Sequence, residues 1–126
     1  MAQILHTGLT VTEDDIQKFY AEVLGFKKER NFQLDEDLAD SIFQVKETID
    51  VQYMNKDDLT LELFIFPKSK GNKDFRHLCL KMDDCGEIYK KAKEANYWTF
   101  RRTKSNNQST YFIKDQMDNL FELKNN

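Results

Sequence analysis

Two kinds of side chain that bind metals and move protons recur at matching places in this sequence. The chain has only two histidines, His6 and His77, and each opens a stretch that alternates apolar with polar residues. Two glutamates, Glu62 and Glu122, interrupt the apolar runs Leu-Glu-Leu-Phe and Phe-Glu-Leu. A carboxylate in such a run is costly to bury unless it is paired or bound to a cation. We therefore predict that these four residues ligate one metal ion.

The chemistry of this ligand set favours a divalent ion. Imidazole and carboxylate together suit Zn, Ni, Fe(II), Mn or Co, and two of each leave coordination positions open for water or substrate. For any one of the four residues a structural role is more common, because a strand Glu can face solvent and a strand His can be a hydrogen-bonded core residue. The duplication of both residue types is what favours a metal site.

The elements that must position these residues begin with a strand and a helix. The segment from Leu5 to Val11 alternates as a half-buried strand does, and Thr12 can then cap a helix. Gly25 ends this helix, since glycine readily adopts the left-handed conformation found just past a last turn. The helix carries an apolar stripe at helical spacing, which consists of Ile16, Phe19, Tyr20, Val23 and Leu24.

The same order of elements returns after the second histidine. The segment from His77 to Met82 predicts a strand, and Asp84 with Glu87 forms a capping-box pattern. A second helix follows, and Asn96 stands where Gly25 stood in the first half. Its apolar positions are Ile88, Ala92 and Ala95. The two histidines therefore open equivalent strands.

Each half is completed by three more predicted strands, so that it reads strand, helix, strand, strand, strand. The predicted strands are Phe26 to Phe32, Val51 to Asn55, Leu59 to Phe66, Thr99 to Thr103, Thr110 to Lys114 and Leu120 to Lys124. The histidines are 71 residues apart but the glutamates only 60, so the first half carries an insertion. We place it at Asp37 to Ile49 and predict a short amphipathic helix or lid. The prediction is one domain, 1–126, made of module 1 (about 1–68) and module 2 (about 74–126).

Composition argues against several classes of function. Nineteen basic and twenty-two acidic side chains give a net charge of -3 with both signs scattered, so we expect neither a nucleic-acid nor a membrane partner. The longest apolar stretch, Leu59 to Pro67, is too short to span a bilayer, and no targeting signal is visible. Two cysteines, Cys79 and Cys85, are too few for a disulfide framework. We expect a cytoplasmic protein.

Several segments resemble the vicinal oxygen chelate superfamily, which includes glyoxalase I, methylmalonyl-CoA epimerase, extradiol dioxygenases, fosfomycin-resistance thiol transferases and bleomycin-binding proteins. The resemblance is carried by His6 to Val11, Phe19-Tyr20, Val23 to Phe26, Leu61 to Leu63 and Asp115 to Leu123. The last of these is similar to the family's Asp-Pro-Asp-Gly-Asn turn. Gln116 replaces the proline and Asp118 the glycine, so we expect a less rigid turn, with Asp118 tolerating a left-handed conformation.

The resemblance implies an α+β fold in which two tandem βαβββ modules form a cupped, mixed β-sheet half-barrel around the metal. It also implies a small-molecule substrate and a homodimer. Glutamate at position 62 is similar to glyoxalase I and implies a metal-dependent lyase or isomerase of lactoylglutathione lyase type. Such an enzyme moves a proton next to a carbonyl of a 2-oxoaldehyde-thiol adduct. Glu122 is the predicted base and Glu62 its alternate.

The sequence is also compatible with other functions. An acyl-CoA epimerase uses the same proton chemistry, and an extradiol dioxygenase would use two His and one Glu around Fe(II). A non-catalytic protein that binds a small antibiotic-type molecule would use aromatic cavity walls, for which the candidates are Phe64, Phe66, Trp98, Phe100 and Tyr111. Thr10 stands where glyoxalase I relatives usually carry a basic residue, so the thiol need not be glutathione. Candidate anion contacts, more often solvated strand-edge charges, are Lys81, Arg101, Arg102 and Lys104.

Overall fold

The computed structural model describes residues 1–71 and 73–126 and shows an α+β chain. Its residues divide into two compact units, Met1–Ser69 and Lys70–Asn126. This division lies close to the predicted module boundary, whereas a single domain made of both units stays a prediction. No helix in the described part of the chain is long and apolar enough to cross a bilayer.

The first unit is a four-stranded mixed sheet with helical segments. Its order is β1-β4-β3-β2, with β1 parallel to β4 and the other neighbours antiparallel. The elements are β1 (Thr7–Val11), α1 (Glu13–Asp15) with a π-helical continuation (Ile16–Ala21), β2 (Lys27–Leu34), α2 (Glu36–Phe43), β3 (Ile49–Lys56) and β4 (Leu59–Ile65). The first strand is shorter than predicted, so His6 lies just before it.

The second unit repeats this topology without the inserted helix. Its order is β5-β8-β7-β6, again with one parallel pair, β5 and β8, at the edge. The elements are β5 (His77–Met82), α3 (Cys85–Glu94), β6 (Trp98–Thr103), β7 (Ser109–Lys114) and β8 (Leu120–Asn125). Each unit is therefore a βαβββ module, and the predicted fold class is confirmed.

The predicted first helix is present, with one change of geometry. All five residues of its apolar stripe are buried, and Gly25 adopts a φ of 82°, as predicted. The backbone N–H of Glu22 donates to the carbonyl of Gln17, five residues earlier, at 2.9 Å, which is the hydrogen bond of a π-helix. The stripe packs the segment onto its sheet, so burial decides the position of the helix.

The predicted capping box of the second helix is wrong. Asp84 adopts a left-handed conformation with a φ of 56°, whereas a capping residue is normally extended. The N–H of Cys85 instead donates to Asn125 Oδ1 at the end of β8, at 3.1 Å. Asn96 has a φ of 66°, as predicted. The helix is thus tied to its sheet by a residue that is distant in sequence.

The predicted insertion forms an amphipathic helix, α2. Asp35 caps it by accepting a hydrogen bond from the N–H of Leu38 at 2.9 Å. Ala39 is fully buried on its inner side, whereas Leu38 and Ile42 are about half exposed. The helix packs against an apolar cluster of Leu34, Ile49, Val51, Phe32, Val45, Phe64 and Phe66.

The turn that leads into β8 has a restraint that the sequence did not predict. The carboxylate of Asp115 is buried and accepts hydrogen bonds from the N–H of Met117 and the N–H of Asn119, both at 2.9 Å. The side-chain amide of Asn119 donates to the same carboxylate at 2.8 Å. Asp118 is left-handed with a φ of 61°, as predicted. These hydrogen bonds supply the order that a proline would otherwise give.

Candidate metal site

The first His–Glu pair lies at the parallel edge of the first sheet. His6 precedes β1, and Glu62 lies in β4 in direct register with Gly8. His6 Nε2 is 3.2 Å from Glu62 Oε1, and the Glu62 side chain is 14% exposed. The hydroxyl of Tyr53, the cross-strand neighbour of Glu62 in β3, donates to Glu62 Oε2 at 2.8 Å. Both carboxylate oxygens of Glu62 are therefore engaged.

Tyr53 is itself held by aromatic and cationic neighbours. Its ring stacks on Phe32 at a centroid distance of 5.9 Å, and the guanidinium of Arg30 lies 4.4 Å from its centroid. The imidazole of His6 meets the ring edge-on at 5.8 Å. Burial, followed by the hydrogen bond to Glu62, raises the pKa of the Tyr53 hydroxyl. The hydroxyl thus keeps its proton at neutral pH and remains a donor.

The second His–Glu pair occupies the equivalent edge of the second sheet. His77 opens β5, and its Nε2 is 3.3 Å from Oε1 of Glu122 in β8. Nδ1 of His77 is 2.8 Å from the carbonyl oxygen of Phe75. The second carboxylate oxygen of Glu122 is 3.5 Å from Nζ of Lys124. The two units therefore present the same pair of donor types in the same geometry.

The surroundings of the two carboxylates differ. Phe112 is the cross-strand neighbour of Glu122, in the place that Tyr53 takes beside Glu62. A phenylalanine ring has no hydroxyl and cannot donate such a hydrogen bond. Cys79, exposed and unbridged, lies opposite Glu122 where Gly8 lies opposite Glu62. Glu122 is thus restrained less than Glu62.

The donor set fits a divalent metal. A carbonyl oxygen only accepts hydrogen bonds, so Nδ1 of neutral His77 carries the proton and Nε2 presents its lone pair toward Glu122. A lone pair and a carboxylate that face each other repel unless a cation or proton intervenes. Two ligands that each lie about 2.1 Å from one ion are about 3.0–3.4 Å apart at octahedral or tetrahedral angles. The separations of 3.2 and 3.3 Å agree with that range.

The structure brings the four predicted ligands together as two pairs. Within residues 1–71 and 73–126, no group of three or more His, Cys, Asp or Glu side chains is arranged to hold a metal ion. The meeting of both pairs at one ion therefore stays a prediction.

Sequence reasoning missed Tyr53, although the sequence contains a signal for it. Asp57-Asp58 marks the tight turn between β3 and β4, and pairing residues outward from that turn puts Tyr53 opposite Glu62. Residues directly opposite each other on paired strands point to the same face, so the ring lies on the same side as the carboxylate.

An apolar cavity of ≈ 360 Å³ lies beside α2 in the first unit. Of the five predicted aromatic walls, Phe64 and Phe66 line it. Trp98 and Phe100 are instead half exposed in β6 and stack on each other with centroids 6.4 Å apart. Tyr111 packs against Tyr89 of α3. In the described part of the chain, the predicted aromatic set is therefore divided between the two units, and Phe64 and Phe66 share a cavity.

Residues 3–123 match the sequence profile of the Glyoxalase/Bleomycin resistance protein/Dioxygenase superfamily. The chain belongs to this superfamily. The match covers both His–Glu pairs and nearly the whole chain, and it confirms the family that the motifs indicated. A search of curated proteins finds no significant match.

Solved structures of superfamily type have the same fold at low sequence identity. A glyoxalase family protein from Enterococcus faecalis is 19% identical with a TM-score of 0.70, and 98% of each chain is covered. The fosfomycin resistance protein FosX from Listeria monocytogenes is 12% identical with a TM-score of 0.74, covering 100% of this chain and 94% of that one. A FosX variant, solved with Mn(II) and 1S,2S-dihydroxypropylphosphonic acid, has a TM-score of 0.72 at 12% identity over 98% and 90% of the two chains. These similarities show the fold alone.

Proposed function

We propose that this protein is a metal-dependent lyase or isomerase of the glyoxalase I type, acting on a small 2-oxoaldehyde-thiol adduct. The observation that carries the proposal is the pair of equivalent His–Glu contacts, at 3.2 Å in one unit and 3.3 Å in the other. His6, Glu62, His77 and Glu122 are the proposed ligands of one divalent ion. Support for a metal in this superfamily comes from FosX, which was solved with Mn(II).

The two carboxylates receive different roles in this proposal. Glu62 accepts a hydrogen bond from the packed Tyr53 hydroxyl on one oxygen and lies beside His6 Nε2 with the other, so it serves as a fixed ligand. Glu122 has Phe112 instead of a tyrosine as its cross-strand neighbour, and its second oxygen lies 3.5 Å from Nζ of Lys124, whose side chain is half exposed. Glu122 is therefore the residue that can reorient, remove the proton next to the substrate carbonyl and return it to the neighbouring carbon.

A bound divalent ion supplies Lewis acidity that makes the carbon proton beside a carbonyl easier to remove. The protein contributes the positions of the acid–base groups. His77 is held in one tautomer by the carbonyl of Phe75, so its ring presents Nε2 to Glu122 throughout. The Glu122 side chain is 20% exposed, so the residues packed around it keep competing water away from most of the carboxylate.

Elemental analysis followed by an activity assay tests the proposal. We expect about one divalent ion per site and formation of the thioester from methylglyoxal with a panel of thiols. Glutathione is only one member of that panel, because Thr10 replaces the basic residue expected near the first histidine. Glu122→Gln should abolish turnover while retaining most metal binding, and Glu62→Gln should weaken metal binding. Glu87→Gln, on the exposed side of α3, is the matched control.

Two results would contradict the proposal. One is purified protein without a metal ion that also fails to bind Zn, Ni, Mn, Co or Fe(II) when these are added. The other is metal-loaded protein that turns over none of the adducts tested. Oxygen consumption with a catechol would instead support a dioxygenase, and exchange of the α-proton of an acyl-CoA would support an epimerase.

We also propose a homodimer, and complementation tests whether the pairs meet within or between chains. His6→Ala and His77→Ala should each be inactive alone. Activity regained on mixing the two variants would place one pair from each chain at the same ion. Continued inactivity in a mixed dimer, verified by mass, would place both pairs within one chain.

The second candidate function is a non-catalytic small-molecule binding protein. The apolar cavity of ≈ 360 Å³ beside α2 favours it, since such a volume accommodates a small aromatic ligand. This candidate predicts tight ligand binding that is independent of metal. A stoichiometric metal that is lost in His77→Ala would favour the enzyme.

A further inference from the structure

A second cavity, of ≈ 470 Å³, lies in the second unit beside the turn between β6 and β7. Three lysines line it: Lys81 from β5, Lys104 from the turn and Lys124 from β8. The described residues that line it include Ser109 and Thr110 and no aspartate or glutamate. The cavity therefore presents ammonium and hydroxyl donors, and none of the side chains in its wall is acidic.

Strand register places this cavity next to the second His–Glu pair. Lys81 lies directly opposite Lys124, and Cys79 lies directly opposite Glu122, in the parallel pair of β5 and β8. Residues two apart along a strand point to the same face. Lys124 thus shares the face that carries Glu122, and its Nζ is 3.5 Å from Glu122 Oε2. An anion in the cavity would lie within one side-chain length of the proposed base.

The charges around the cavity are unbalanced. Lys81 and Lys124 lie directly opposite each other on neighbouring strands, and like charges in this arrangement are destabilising. Glu122 is the carboxylate paired with Lys124, at 3.5 Å, and it offsets one of the three positive charges. Two positive charges are left, which matches the charge of a phosphate-type dianion better than that of a single carboxylate. The hydroxyls of Ser109 and Thr110 can donate further hydrogen bonds to such a group.

We propose that the cavity lined by Lys81, Lys104 and Lys124 binds the phosphate or phosphonate group of a small ligand. This group would fix the ligand with its remaining atoms beside His77 and Glu122. That the ligand is the substrate rests on the proposed function, whereas anion binding in the cavity does not. The substrate class is then a small carbonyl compound that carries a phosphate-type anion.

Isothermal titration calorimetry with inorganic phosphate, at low salt and with EDTA present, tests the cavity without a contribution from metal. We expect saturable binding at one site. Lys81→Gln and Lys104→Gln should each weaken it by roughly 5-fold, because each removes one partly solvated ion contact. Lys93→Gln, the same change on α3 outside the cavity, should leave it unchanged. Phosphate should also protect Lys81 and Lys104 of the unaltered protein from acetylation, as read by mass spectrometry.

Several outcomes would overturn the proposal. Equal weakening in all three variants would indicate diffuse attraction rather than a site, and no phosphate binding would exclude the site. Acetate binding as tightly as phosphate would assign a carboxylate ligand instead. Glu122→Gln separates this inference from the proposed function, since it should remove turnover and retain phosphate binding. Phosphate binding by a protein that never binds metal would support the anion site and contradict the proposed metal-dependent enzyme.

Discussion

The hydrogen bond from Tyr53 to Glu62 gives the sharpest test of the first His–Glu pair. Tyr53→Phe removes one hydroxyl and keeps the ring that stacks on Phe32 and lies under Arg30. The bond is short, at 2.8 Å, and its acceptor is a carboxylate that is 14% exposed. A hydrogen bond to a charged group contributes about 1.5–3 kcal/mol, and water that reaches the 14% exposed Glu62 side chain can replace part of the lost interaction. We expect the free energy of unfolding to fall by about 1–2 kcal/mol.

The same substitution should weaken metal binding. A residue that orients a ligand typically changes metal affinity by about 10–100-fold, which corresponds to about 1.4–2.8 kcal/mol. Competition with a chromophoric chelator measures the affinity, and urea unfolding of metal-free protein measures the stability. Because Phe112 already occupies the equivalent place beside Glu122, the variant makes the two units alike at this position.

Tyr111→Phe is the matched control, since it makes the same chemical change at a ring that packs on Tyr89 of α3. It should leave the affinity for metal unchanged. Unaltered metal affinity in Tyr53→Phe, with stability reduced, would refute the positioning role of the hydroxyl and leave it a purely structural one. An equal loss of affinity in both variants would show that the effect is not specific to Glu62.

Three further predictions concern individual side chains. Phe112→Tyr should place a hydroxyl beside Glu122 and lower kcat more than it changes metal affinity; an unchanged kcat would argue against a mobile Glu122. Asp115→Ala should lower the free energy of unfolding by about 2–4 kcal/mol, because it removes the buried acceptor of three hydrogen bonds near the start of β8; urea unfolding with a loss below about 1 kcal/mol would contradict this. Burial raises the pKa of the Cys85 thiol and keeps reagents away from it, whereas Cys79 is exposed. In a disulfide-exchange assay one thiol should react quickly, and Cys79→Ser should remove that phase; two fast thiols in native protein would count against it.

Much of the fold could be predicted because its signals are local. The alternation around Glu62 and Glu122 and the helical stripe that ends at Gly25 report which face of each element is buried, and burial is the main determinant of element type and position. The different spacings of the histidines and the glutamates located the insertion that forms α2. Local patterns also gave the left-handed residues Asn96 and Asp118.

The predictions that failed depend on contacts between distant residues. Asp84 was predicted to cap α3 from its own sequence neighbourhood, but the N–H of Cys85 is satisfied by Asn125, 40 residues away. Sequence spacing does not show which of several polar side chains forms the hydrogen bond at a helix end. The choice of Asn125 as the acceptor depends on how β8 packs beside the helix.

The sequence by itself determined which residue types stand at equivalent places, because a duplicated module repeats its pattern of apolar and polar positions. It thereby singled out His6, Glu62, His77 and Glu122. Only the tertiary structure decided that each histidine lies beside its own module's glutamate, and that Tyr53 holds one carboxylate while the other has a phenylalanine neighbour. The physical reason is that side-chain distances depend on strand register and rotamer, which are set by packing across the sheet.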